Sequence, residues 1–211
     1  MANSQAGETS LKVSGLSHRF GYRQVLNGID FRCSGNGSLC VTGPNGSGKS
    51  TLLRIVAGLL SPSAGKVEVK IDGEGLKGDA LRRHLRLVSP ESSLYDELTG
   101  FENLRFLSKV SGFRSSREKI ESRLESVGLG GRGKDLYGSY SSGMKQRLKL
   151  AAALLTDPRI LLLDEPSSNL DDDGCSMVYD IIKEQSARSI LVFATNDERE
   201  VKLGEQIVRL D

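Results

Sequence analysis

Nothing in this sequence narrows the possible folds as sharply as the run Gly43, Pro44, Asn45, Gly46, Ser47, Gly48, Lys49, Ser50, Thr51. A short apolar segment, Leu39–Val41, precedes it, and Leu52, Leu53, Ile55 and Val56 follow at helical spacing. The order is strand, glycine-rich turn, amphipathic helix. Gly43, Gly48, Lys49 and Ser50 occupy the fixed places of a phosphate-binding P-loop, GxxxxGK followed by Ser or Thr. Glycines let the backbone bend tightly, so that successive N–H groups converge on phosphate oxygens. A helix starting near Lys49 aims the positive end of its dipole at the same anion. Lys49 adds a point charge for the β- and γ-phosphates, and the Ser50 hydroxyl is placed to ligate Mg²⁺. Nucleotide binding is the first expectation.

Composition sets bounds on the rest. A chain of 211 residues buries a sizeable core as one domain, or as one domain with a lobe. Lys and Arg number 29 against 27 Asp and Glu, a formal net charge of +2, so no strong field favours nucleic acid or anionic lipid. Accordingly, no nucleic-acid partner is expected. Cys33, Cys40 and Cys175 are widely spaced and form neither a metal-ligand pattern nor a disulfide framework, which suits a reducing cytoplasm. Cys40, inside the apolar run before the P-loop, reads as a small core residue. His18 and His84 lie among basic residues without metal-ligand spacing and read as solvent-exposed. No apolar run approaches the ~20 residues that span a bilayer. Residues 1–10 are polar and lack an apolar signal core, so a flexible tail is expected there.

Periodicity then places the elements. Leu11–Leu16 alternates weakly as a strand, Phe20–Tyr22 is a turn carrying aromatics, and Val25–Phe31 is a strand with a turn inside. Lys66–Ile71 alternates cleanly as a half-buried strand. Ala80–His84 reads as a short helix and Leu85–Val88 as a short strand. The pattern then changes: Phe101, Leu104 and Leu107 share one helical face, and Ile120, Leu124 and Val127 share another. An inserted helical lobe is expected over about residues 92–140. Ser141 opens the next helix, and Asp157–Pro158 stops it. Ile160–Leu163 and Ile190–Ala194 are apolar on both faces, as central parallel strands are, with a helix over Asp171–Gln185 between them. The expected fold is α/β: a P-loop NTPase core with a mostly parallel sheet, an N-terminal antiparallel β portion and the helical lobe. No internal repeat is present, so one cassette is expected over residues 1–211.

Asp164 and Glu165 end the apolar strand at Ile160–Leu163. Ligands of open α/β sheets bind beyond the carboxyl ends of the strands, so both acids are expected beside the P-loop. Two adjacent acids can divide the work, one holding hydrated Mg²⁺ and the other activating a water.

From about Leu11 to Asp211 the chain resembles the ATP-binding cassette (ABC) ATPase family. Tyr140, Ser141, Ser142, Gly143, Met144, Lys145, Gln146, Arg147 is similar to the family signature LSGGQxQR, and Ser168–Asp171 to its D-loop. The order P-loop, helical lobe, signature, strand ending in Asp-Glu, D-loop belongs to that family. The resemblance implies ATP and Mg²⁺ as ligands, with Ser50 and Asp164 on the metal and Glu165 as general base or water-orienting acid. It implies two cassettes packed head to tail, Ser141, Ser142 and Gly143 of one reaching the γ-phosphate on the other's P-loop; Ser142 replaces the usual glycine. The adenine-stacking aromatic falls on Phe20, with Tyr22 the other candidate.

Two departures stand out. The family's Q-loop glutamine falls on Pro90, which has no side-chain donor or acceptor, and its switch histidine falls on Asn196. Asparagine can donate a hydrogen bond to a γ-phosphate but carries no proton near neutral pH. Binding should survive both changes, and turnover is expected to be slow. The first functional expectation is the nucleotide-binding subunit of an ABC transporter, acting on a separate transmembrane permease subunit from the cytoplasmic face of the membrane. No regulatory extension and no fused membrane domain is expected, which implies that the membrane subunit is a separate chain. The short format resembles bacterial exporter cassettes, the haem-exporter type nearest among them. The alternative is a degenerate, slowly or non-hydrolysing interaction subunit of a heteromeric ABC complex. The ABC ATPases of DNA repair and translation need long coiled coils or two linked cassettes, and neither is present.

Overall fold

Two β-sheets with different strand directions account for most of the regular structure. The computed structural model describes residues 8–211. The chain divides into two units, one comprising the described residues up to Leu87 with Arg159–Asp164 and Ile182–Asp211, the other Val88–Pro158 with Glu165–Ile181.

The first unit opens with β1 (Thr9–Phe20), β2 (Arg23–Ser34), β3 (Gly37–Thr42), α1 (Lys49–Val56), β4 (Ala64–Ile71), β5 (Glu74–Leu76), α2 (Gly78–His84) and all but the last residue of β6 (Leu85–Val88). β7 (Ile160–Asp164), β8 (Ile190–Thr195), the short α7 (Glu198–Val201) and β9 (Gln206–Arg209) complete it. An antiparallel sheet has the order β2-β1-β4-β5, and a five-stranded sheet the order β6-β7-β8-β3-β9. In the latter β7–β8, β3–β8 and β3–β9 pair in parallel, as expected for strands with continuous apolar runs. Every residue of β7 and β8 is buried. Leu39, Val41, Leu52, Leu53, Ile160 and Val192 lie in one apolar cluster, which fixes α1 and the turn before it.

Several details differ from the sequence reading. β1 begins at Thr9, so residues 9 and 10 of the expected tail are strand; residues 1–7 lie outside the described residues. β2 runs unbroken where a turn was expected at Gly28. Gly28, at φ +61°, sits in an irregular stretch of the β1–β2 ladder and donates its N–H to Ser17 Oγ instead. His18 is buried, contrary to expectation, because it falls on the inward face of β1.

The second unit contains α3 (Gly100–Val110), α4 (Arg117–Ser126) and α5 (Ser142–Leu154). Thr99 and Glu102 form a reciprocal capping box at the start of α3, and Ser116 and Ser141 cap α4 and α5. Leu104, Ile120, Leu124 and Leu148 form its buried centre, with Tyr137 and Tyr140. α6 (Asp172–Ser186) begins here, and the division between the units falls within it.

Candidate functional site

The P-loop joins β3 to α1 through backbone that only glycine adopts readily. Gly43, Gly46 and Gly48 have φ of +152°, +85° and +102°. A side chain at Gly43 would strike the Leu210 carbonyl, and one at Gly48 would come within 2.8 Å of Leu26 Cδ2. α1 starts with no capping side chain and no acid in its first turn, leaving its N–H groups open to an anion. Lys49 is buried, and its Nζ donates to the Gly43 carbonyl at 2.8 Å and the Pro44 carbonyl at 3.3 Å. Ser47 Oγ is enclosed and has no hydrogen-bond partner among the described residues. Pro44, Asn45 and Gly46 are exposed, while Ser50 and Thr51 are partly so. An uncapped helix start, an enclosed hydroxyl and a cation folded onto its own loop fit a phosphate group.

The strand ends bring further residues to this loop. Thr42 stands opposite Thr195, and Asp164 opposite Ala194, so β3, β8 and β7 finish at nearly one level. β8 lies between the other two strands, so Asp164 is one strand removed from the P-loop strand. Asp164 is buried, whereas Asn196 is exposed and donates Nδ2 to Asn45 Oδ1 of the P-loop at 3.2 Å. The buried Asp164 carboxylate and the partly exposed Ser50 hydroxyl are hard oxygen donors of the kind that suits Mg²⁺. Phe20, the last residue of β1, is 53% exposed, and its ring meets that of His18 edge to face at 4.6 Å. Tyr22, in the following turn, is fully exposed.

The other expected residues belong to the second unit. Glu165 follows Asp164 directly and is held at φ +49°, and Asn169 is at +63°. Such conformations are strained for side-chain-bearing residues and cluster at functional positions. Ser141 Oγ accepts from the Met144 N–H, which leaves Ser142 exposed at the first turn of α5. Gly143 lies against the Asn169 carbonyl, where a Cβ would come within 3.1 Å.

α5 also grips its surroundings in ways the sequence alone did not disclose. Lys145 reaches Asp96, Gln146 Nε2 donates to the Pro166 carbonyl at 3.0 Å, and Arg147 pairs with Asp171 at 2.8 Å. Hydrogen bonds from the Gly174 amide and then from Arg147 hold the Asp171 carboxyl below the usual range. Lys149 Nζ donates to the carbonyl of Pro90 at 3.0 Å, and burial pushes its ammonium below the usual lysine value. Thus the segment at Pro90 is held through its backbone. Asn103 is fully buried: its Oδ1 accepts from the Tyr95 N–H, and its Nδ2 faces the carbonyls of Tyr95, Leu98 and Thr99. One asparagine thereby fixes the loop that enters α3. Its only trace in the sequence is an asparagine on the apolar side of an amphipathic helix.

A parallel sheet whose central strands end on a glycine-cradled lysine, a buried aspartate and an amide bonded to the loop defines a P-loop nucleotide-binding protein. The family model described as ABC transporter matches residues 26–168, and the chain belongs to that family. A daunorubicin resistance ATP-binding protein of Streptomyces coeruleorubidus is 34% identical over 208 residues, covering 97% of this chain and 66% of that protein. A phosphonates import ATP-binding protein of Bordetella parapertussis is 36% identical over 202 residues, covering 85% of this chain and 77% of that protein. A solved structure of the ATP-binding subunit of an ABC transporter superposes with a TM-score of 0.81 at 27% identity, covering 95% of this chain and 85% of that one. The chain spans 66% and 62% of the length of two of the curated relatives it matches. Nothing in these likenesses supports a degenerate interaction subunit.

Proposed function

We propose that the chain is the nucleotide-binding subunit of an ABC transporter, which binds and hydrolyses MgATP at a head-to-tail dimer interface and so drives a separate membrane subunit. The observation that carries this reading is the P-loop itself: a left-handed glycine backbone opening an uncapped helix, with the Lys49 ammonium turned onto the loop's own carbonyls. We read residues 1–211 as one cassette with a helical lobe over about residues 92–140. It works on the cytoplasmic face of the membrane through its partner. Export is the favoured direction, since a Nod factor export ATP-binding protein of Rhizobium is 32% identical over 89% of the chain.

Lys49 exchanges its carbonyl contacts for the β- and γ-phosphates, and the backbone N–H groups of the loop other than that of Pro44, which has none, surround the same oxygens. Phe20 stacks on the adenine. Ser50 and Asp164 hold Mg²⁺, which neutralises phosphate charge when bound. Glu165 orients a water and accepts its proton as the water oxygen bonds to the γ-phosphorus, the bond to the β-phosphate oxygen breaks, and ADP and phosphate leave. Asn196 donates its amide to the γ-phosphate. Ser141, Ser142 and Gly143 contact the nucleotide held by the other cassette.

The test joins the two halves of the site. Glu165→Gln keeps the shape of the acid and removes its charge, so it should leave ATP bound, stop hydrolysis and relieve repulsion against the γ-phosphate. The expected result in light scattering is a monomer without nucleotide and a stable dimer with MgATP. Adding Ser141→Arg should abolish the dimer while each monomer still binds ATP. A dimer that persists with Arg at position 141 would sink the head-to-tail reading.

A further inference from the structure

His18 is 6% exposed, and neither ring nitrogen has a hydrogen-bond partner among the described residues. Keeping two polar nitrogens enclosed and unpaired costs free energy that a leucine at the same place would not. Its hydrogen bonds therefore do not explain the residue. What the imidazole does offer is a flat ring. His18 and Phe20 lie two apart on β1, and their rings meet with centroids 4.6 Å apart and planes at 80°. On the neighbouring strand His18 stands opposite Leu26, itself 2% exposed and in the space that keeps Gly48 of the P-loop a glycine. His18 is thus clamped between the phosphate loop's backing and the half-exposed Phe20.

We infer that His18 is a positioning residue for the nucleobase: its ring, not its nitrogens, holds Phe20 upright as a stacking surface. The inference rests on the reading of Phe20 as the adenine platform, and the experiment separates the two. Calorimetric titrations use MgATP, and magnesium tripolyphosphate as a ligand with the phosphates but no base. His18→Leu should weaken MgATP about three- to tenfold, the range of an aromatic pair, and leave tripolyphosphate unchanged. His18→Phe restores a ring without nitrogens and should bind MgATP as the wild type does. Both variants should melt at or above the wild-type temperature, because each removes the unpaired nitrogens. Combined with Phe20→Leu, His18→Leu should cost nothing further. Equal losses for MgATP and tripolyphosphate, a loss in His18→Phe as large as in His18→Leu, or a lower melting temperature in either variant would each overturn the inference. Unchanged MgATP affinity in Phe20→Leu would overturn the platform reading and this inference with it. A weakened Phe20→Leu beside an unaffected His18→Leu would overturn the inference alone.

Discussion

On the proposed reading Asn196 stands where the family's histidine would couple a phosphate to a water, and its amide is bonded to Asn45. An imidazole could add transition-state contacts that the amide makes less well. Asn196→His should therefore raise steady-state phosphate release, by about tenfold if one such contact is gained. A lower rate would show that the asparagine is the adapted residue. Lys49→Ala should abolish MgATP binding at micromolar concentration while the far-UV circular dichroism and melting curve persist, because the substitution deletes a charge and no apolar core contact. Titration of the folded variant decides that point. Both positions were legible as residues in the sequence; the Asn45–Asn196 bond was not, since it joins side chains 151 positions apart.

Short elements depend on single side chains more than long ones do. The loop before α3 hangs on Asn103, and Asn103→Ala would leave the Tyr95 N–H without its acceptor, while the Tyr95, Leu98 and Thr99 carbonyls keep backbone donors. A loss of about 1–3 kcal/mol is expected, read as a lower urea midpoint with little change in slope. An unshifted midpoint would mean that water replaces the amide at no cost. Runs such as Ile160–Leu163 and the spacing of Phe101 and Leu104 disclosed their strand and helix because burial imposes a period on the sequence. The three-residue β5 and four-residue α7 are too short to carry a period, and they went unread. Gly28 looked like a turn because glycine marks left-handed backbone without saying whether the chain reverses there or only bulges. The basic neighbours of His18 point to solvent, whereas strand alternation from Leu16 places it inward, and alternation prevails.

Across the whole molecule all three cysteines are buried, two in the first unit and Cys175 in the second. Burial, reinforced by Glu205 and Glu200 respectively, lifts the Cys33 thiol from 9.0 to about 11 and the Cys40 thiol to about 12. Since the native state holds these protons more tightly than the unfolded chain, their contribution to stability is full below pH 9 and lost as the pH climbs through 11 and 12. At pH 8 a thiol reagent should modify the native protein far more slowly than the protein in urea, and absorbance of the released chromophore measures both rates. Rapid labelling without denaturant would contradict the enclosed placement. Among the described residues no helix is long and apolar enough to cross a membrane. The grip of α5 on Asp96, Pro166, Asp171 and Pro90 has a consequence for how damage is distributed along the chain. In a saturation scan scored by function, tolerance should not follow burial. The partly exposed Lys145, Arg147 and Lys149 should accept few replacements, while enclosed His18 should accept phenylalanine freely, so the chain's most fragile helix would be one whose weak points are charged.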